Sequence, residues 1–250
     1  MKQAKIYGDR IVSYNTKILT DGCESLGITL SDRQIEQFMI YYEYLVEKNK
    51  VMNLTGITEF EEVMLKHFVD SLAVVKAVDM SKVTTLLDLG TGAGFPGVPL
   101  KIAFPHIEMV LLDSLNKRIK FLGEVIEKCR LENIVAIHGR AEELAKKKEY
   151  REGFDLCVSR AVANLSSLSE YCIPYVKIGG QFIPYKSGNI DTELKEAERA
   201  IKILGGSRQD VIKFQLPDSD IDRSLVVIKK EKATPGKYPR KAGMPSKEPL

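Results

Sequence analysis

A chain of 250 residues is long enough for one large α/β domain with an appendage, and 44% hydrophobic with 28% charged residues is the balance of an ordinary globular protein. No apolar run approaches the ~18 residues of a membrane span, Asp9 and Arg10 interrupt the N-terminus before a signal core can form, and Cys23, Cys129, Cys157 and Cys172 are scattered without a C-x-x-C pair or a His at ligand spacing. These features argue against membrane-spanning, disulfide-stapled and zinc-site classes, and the expected protein is cytoplasmic and metal-free with reduced, buried thiols. The net charge of +3 is unevenly spread: seven Lys/Arg and two Glu from Lys229 onward put +5 there and leave −2 on the rest. A basic tail on a nearly neutral body points to a polyanionic partner or to a solvated C-terminus.

The first eighty residues read as helical. Ser31-x-x-Gln34 forms a capping box ahead of Ile35, Phe38, Met39, Tyr42, Leu45 and Val46 at helical spacing. A polar break over 49–56 precedes a second box, Thr58-x-x-Glu61, and a second stripe of Val63, Met64, Phe68, Leu72 and Val75. From Val83 the pattern changes to β-type runs (84–89, 108–113, 133–138, 154–159 and 181–185) alternating with helical stretches (96–103, 115–130, 164–176 and 191–204). Such alternation predicts a mostly parallel sheet with helices on both faces. Two last strands, 209–215 and 224–230, are joined by a link too short for a crossover, so they should pair antiparallel. Beyond them, 234–250 is rich in Pro, Gly and Lys and reads as an extended basic arm, in which Tyr238 could stack on a base. The expected division is a helical region over 1–80, a core over 81–232 and the arm over 233–250.

Leu86-Leu87-Asp88-Leu89-Gly90-Thr91-Gly92-Ala93-Gly94-Phe95-Pro96-Gly97 is an apolar strand, a glycine-rich turn and a helix opening on Pro. Gly92-x-Gly94-x-x-Gly97, with Asp113 about 20 residues on for a ribose hydroxyl, also fits a dinucleotide fingerprint, so the glycines alone do not separate NAD from S-adenosylmethionine. Three features favour S-adenosylmethionine. Asp88 lies inside the turn, where a carboxylate suits a cationic amine better than a pyrophosphate. Pro96 and Pro99 remove amide donors that a pyrophosphate would use. Finally, His138-Gly139-Arg140-Ala141-Glu142 puts small and acidic groups where an adenine edge would lie.

The block 88–99, Leu111-Leu112-Asp113-Ser114-Leu115-Asn116-Lys117-Arg118 and Ser159-Arg160-Ala161 together resemble the small-subunit ribosomal RNA methyltransferase G family, also called glucose-inhibited division protein B. The resemblance extends to Asn49–Thr55, Lys66–Ser71, Leu225–Lys230 and the segment Thr234–Arg240, and so covers most of the chain. Many members have Pro where this chain has Ala93. The fold implied is a class I S-adenosylmethionine-dependent methyltransferase: a Rossmann-like, seven-stranded, mostly parallel sheet with one antiparallel strand and an N-terminal helical extension. The activity implied is methylation of guanine N7 in the decoding-region loop of 16S rRNA. Its partner would be 16S rRNA or the small ribosomal subunit, with no membrane or metal and a monomeric enzyme. Cofactor contacts carried over by motif are Gly90, Phe95, Ala141, Glu142 and Arg160, beside Asp88, Gly92, Gly94 and Asp113 from the residues themselves.

Guanine N7 has a free in-plane lone pair, so no general base is expected, and the chain shows no evident nucleophile–base pair. An Asn/Asp-Pro-Pro-Tyr/Phe motif for gripping an exocyclic amine is also absent from the sequence. Candidate substrate contacts are Asn53 and Thr55 in the interhelical break, His67 and Asp70 three apart on one helix, Arg118 at an unfavourable helix start, and Lys186 at a strand end. An NAD-dependent oxidoreductase and a small-molecule methyltransferase remain the alternatives; the latter leaves the basic arm unexplained.

Overall fold

The computed structural model describes residues 3–7, 10–160, 163–187 and 190–250. Its first element departs from the helical expectation: Gln3–Tyr7 (β1) and Arg10–Tyr14 (β2) pair antiparallel, Gln3 opposite Tyr14. Ile6, Tyr7, Ile11, Val12 and Tyr14 are β-branched or aromatic, types that favour a pleated strand. Helices Lys17–Ser25 and Asp32–Met52 follow, the second opened by the expected capping box, in which Ser31 Oγ accepts the Gln34 amide and the Ser31 amide donates to Gln34 Oε1. Thr58 caps nothing. The next helical run begins at Phe60 with Glu59 at its N-cap, while the Thr58 carbonyl accepts the Tyr42 hydroxyl at 3.2 Å. That run passes through a π-helical stretch, Met64–Val69, into Asp70–Leu72, burying Val63, Met64, Phe68 and Leu72.

The main sheet contains Thr85–Leu89 (β3), Glu108–Asp113 (β4), Ile134–His138 (β5), Phe154–Ser159 (β6), Val176–Lys186 (β7), Gly206–Gln215 (β8) and Asp222–Lys230 (β9). Its order is β5-β4-β3-β6-β7-β9-β8, with β9 alone antiparallel to both its neighbours. β7 starts five residues earlier than the apolar run suggests, because the helix Leu165–Cys172 gives way to a 3-10 turn holding Pro174 and the strand then runs through Gly179 and Gly180. Strand order reverses between β3 and β6, so their carboxyl ends flank the crevice where open α/β sheets bind ligands.

One face of the sheet packs into a core shared with the N-terminal helices, in which Leu19, Phe38, Tyr41, Leu45 and Phe68 join Leu86, Leu111 and Ile183. The other face carries Leu165–Cys172 and Asp191–Ile203, and Tyr238 of the C-terminal segment is buried against them. The segment after Lys232 is therefore folded back onto the domain and is no free arm; Tyr238, 8% exposed, is not presented for stacking on a base. The physical reason is a set of half-buried polar anchors that composition does not reveal. Arg151 donates to the carbonyls of Thr234 and Tyr238, and the Thr234 amide donates to Glu152. Among the described residues no helix is long and apolar enough to cross a membrane.

Candidate active site

β3 ends in the glycine turn, and the turn is pinned to β4. The amides of Gly90 and Thr91 donate to the Leu112 carbonyl at 2.8 and 3.2 Å, and the Gly92 amide donates to Asp113 Oδ2 at 2.9 Å. Gly90 and Gly92 lie at φ 73° and 63°, the left-handed region where a Cβ is disfavoured. The N-terminal helix supports the turn from behind, through the Tyr41 hydroxyl that donates to the Ala93 carbonyl.

Asp88 is fully buried and does not reach a ligand cavity. Its Oδ2 accepts the Thr91 hydroxyl at 2.6 Å and the Gly97 amide at 2.8 Å, while Oδ1 lacks a hydrogen-bond partner. Burial pushes its carboxyl up to about 6 despite those two bonds. The helix after the turn, Gly97–Ala103, thus has an amide at its start taken by a side chain from below. A pyrophosphate site would need that helix end open. Gly94 is likewise a support, since a Cβ there would lie 2.7–2.9 Å from Val98, the Tyr41 hydroxyl and Leu122.

In front of the turn lies a cavity of about 770 Å³. Gly90, Gly92, Phe95, Asp113, Ala141, Glu142 and Arg160 all line it, bringing together seven of the nine residues expected at a cofactor. Arg118, expected at the substrate, joins this wall: its guanidinium donates to Asp113 Oδ2 at 3.2 Å, which places it in the first cavity beside Asp113. The chemistry of the wall suits an adenosyl group. A carboxylate stands at the end of β4, apolar Leu89, Leu112 and Leu168 supply flat contact, and acidic Glu142 closes one end.

A second cavity of about 600 Å³ adjoins the first, and His67, Arg160 and Ala163 line both. Asp70, 2% exposed, holds two cations: Arg160 NH1 donates to Oδ2 at 3.2 Å and Arg223 Nε to Oδ1 at 3.0 Å. Arg160 also lies 4.9 Å from the Phe95 ring centre, a cation–π contact. His67 stacks on Phe95 at 4.4 Å between ring centres, and its Nε2 is 2.7 Å from Thr55 Oγ1. Burial, reinforced by Arg160, pushes the imidazole down to about 3, so it is neutral at physiological pH. Lys186, at the carboxyl end of β7, donates to Ala163 O at 2.7 Å and to Glu193 Oε1 at 2.6 Å.

The family model for rRNA small subunit methyltransferase G matches residues 34–226. This chain belongs to that family. A ribosomal RNA small subunit methyltransferase G of Lachnoclostridium phytofermentans is 58% identical over 92% of this chain and 95% of its own length. One from Alkaliphilus oremlandii is 53% identical over 93% and 98%. Among solved structures, a Bacillus halodurans protein with a provisional methyltransferase assignment aligns at a TM-score of 0.52, with 14% identity, covering 65% of this chain and 99% of that one. This last likeness concerns the fold, which is that of class I methyltransferases, and the family membership makes the chain a methyltransferase.

Three expected contacts in this family member lie off the cavity walls: Asp88 and Gly94 behind the turn, and Asn53 on the surface. Asn53 is exposed in a left-handed conformation, φ 49°, that ends Asp32–Met52. Its neighbours Leu54 and Thr55 line the first cavity instead, positioned by Asn49, whose Oδ1 accepts both their amides. Sequence reading singled out Thr55 beside Asn53 but missed Arg223, Glu193, Tyr171 and the tail residues Gly243 and Ser246. Only Arg223 and Glu193 carried a visible signal, as charges just before a predicted strand and in the first turn of a predicted helix.

Proposed function

We propose that this methyltransferase transfers the methyl group of S-adenosylmethionine to N7 of a guanine in the decoding-region loop of 16S rRNA. The observation that carries the reading is the pair of cavities meeting at Arg160 and His67, at the carboxyl ends of β3 and β6. One wall suits an adenosyl donor; the other is polar and suits a base.

The residues that would hold the cofactor are Asp113 at the ribose, Gly90 and Gly92 at the amino-acid moiety, Ala141 and Glu142 at the purine, with Phe95 beside Arg160, which lines both cavities. When bound, the cofactor supplies an electrophilic sulfonium methyl. Guanine N7 presents a lone pair and loses no proton, so this site needs to supply alignment alone, which can be worth up to about 7–11 kcal/mol in ideal cases. His67 fits such a role, because a neutral ring stacked on Phe95 shapes the passage between the cavities without adding charge. Lys186 and Glu193 offer a donor and an acceptor side by side, matching the acceptor O6 of guanine and its N–H edge. Asp70 holds Arg160 and Arg223 in place rather than reacting.

The test is transfer of labelled methyl from S-adenosylmethionine to small ribosomal subunits from a strain lacking the enzyme, followed by nucleoside analysis. The expected product is 7-methylguanosine. An N2- or C5-methylated nucleoside would overturn the mechanism, and no product would overturn the substrate.

A further inference from the structure

The C-terminal segment does more than pack. Gly243 and Ser246 line the larger cavity beside Glu142 and Tyr171, although they lie about a hundred residues from Glu142 in the chain. The Gly243 amide donates to Glu142 Oε1 at 2.8 Å, and Ser246 is hydrogen-bonded to the Tyr171 side chain. The segment is clamped at three further points. Arg240 grips Glu170, which is fully buried, through Nε at 3.0 Å and NH2 at 2.6 Å. The hydroxyls of Ser167 and Ser166 donate to the carbonyls of Pro245 and Leu250 at 2.6 and 2.8 Å. A forked guanidinium–carboxylate pair with one partner fully buried fixes geometry as well as position.

We propose that residues 242–250 are a built part of the cofactor site, closing its purine end and holding Glu142 so that its Oε2 is left for the exocyclic amine of adenine. This rests on the cofactor reading above. Gly243 is suited to that position because it sits at φ 82°, where its amide turns toward Glu142 and a side chain would force the turn to rearrange. Glu142 is a binding residue in this scheme and the tail is its positioning element. The consequence is selectivity: an acceptor held at the amine distinguishes adenine from hypoxanthine, whose oxo group would face the carboxylate.

The experiment is calorimetry with S-adenosylhomocysteine and S-inosylhomocysteine on the full chain and on a chain ending at Lys241, which keeps Tyr238 and the Arg240–Glu170 pair. The full chain should prefer the adenine compound by about tenfold or more, the effect of one hydrogen bond to a charged group. The shortened chain should bind S-adenosylhomocysteine more weakly and lose most of that preference. Should the shortened chain lack a cooperative thermal transition, Gly243→Val supplies the same reading. Its side chain would enter open space, so only the strained turn and its amide are altered. A preference undiminished in a folded variant overturns the role of the tail. Failure of the full chain to bind S-adenosylhomocysteine at all would instead overturn the cofactor reading beneath it.

Discussion

His67 sits 4.4 Å from Phe95, ring centre to ring centre, with Arg160 at its Nδ1 side. Burial and that guanidinium push its imidazole from the ordinary 6.5 to about 3. Between those values the unfolded chain takes up a proton that the folded chain refuses, so this residue's contribution to stability is full above pH 6.5 and falls as pH drops toward 3. Asp88 acts with the opposite sign. Its folded carboxyl holds a proton up to about 6, so its contribution falls as pH rises through the window from 3.8 to 6. The two are separable by spectroscopy. The His67 imidazole proton resonances should stay unchanged from about pH 8 to 5.5, a range that brackets the titration of an ordinary imidazole, and the unfolding free-energy gap between the natural chain and His67→Gln should shrink as pH is lowered through it. A His67 midpoint near the ordinary 6.5 would mean that the ring is open to water, and the shared wall of the two cavities would be wrong.

At the scale of elements, the glycine turn divides into glycines that face the cavity and glycines that face the protein. A Cβ on Gly92 would meet nothing closer than the Gly90 carbonyl at 3.9 Å, whereas one on Gly97 would lie 2.3 Å from Leu111 and 2.8 Å from Asp88 Oδ2. Gly92→Val should therefore fold, at a backbone cost of about 1–2 kcal/mol for the left-handed conformation, and lose S-adenosylhomocysteine affinity by about tenfold or more. Gly97→Ala should instead destabilise by about 1–3 kcal/mol through overpacking. Thermal melts and calorimetry on both variants check this, and equal melting points with equal affinities would contradict it. The turn, the alternating strands and the final antiparallel pair were legible because apolar runs bounded by Gly, Asp and Pro carry their own signal. The β1–β2 ribbon, the idle Thr58 and the early start of β7 were not. Thr58 is decided by a contact from Tyr42 and β7 by glycines inside the strand, which weaken the local pattern. The ribbon's β-branched and aromatic residues are a local signal too short to stand out beside the helical stretches that follow.

For the whole molecule, the N-terminal helices, the sheet and the tail converge on one crevice, and much of that convergence is invisible in sequence. Arg223 meets Asp70 across 153 residues of chain, and the Gly243 amide meets Glu142 across 101. Composition correctly marks the tail as basic and poor in apolar groups, but its bonds to Glu152 and the buried Glu170, with the buried ring of its own Tyr238, decide where it lies. Asp113 and Glu142 were readable at and just after strand ends, where an open α/β sheet places its ligands, and Arg160 only through the family motif Ser159-Arg160-Ala161. In the proposed reaction the two adjoining cavities divide the work, with the methyl donor in one and the base in the other. Lys186 lines only the second, so Lys186→Met tests that division most directly. Methyl transfer to small ribosomal subunits should fall by about tenfold or more, as for a lost charged hydrogen bond, while affinity for S-adenosylhomocysteine stays within about twofold. Transfer at the natural rate, or cofactor affinity lost together with transfer, would contradict it.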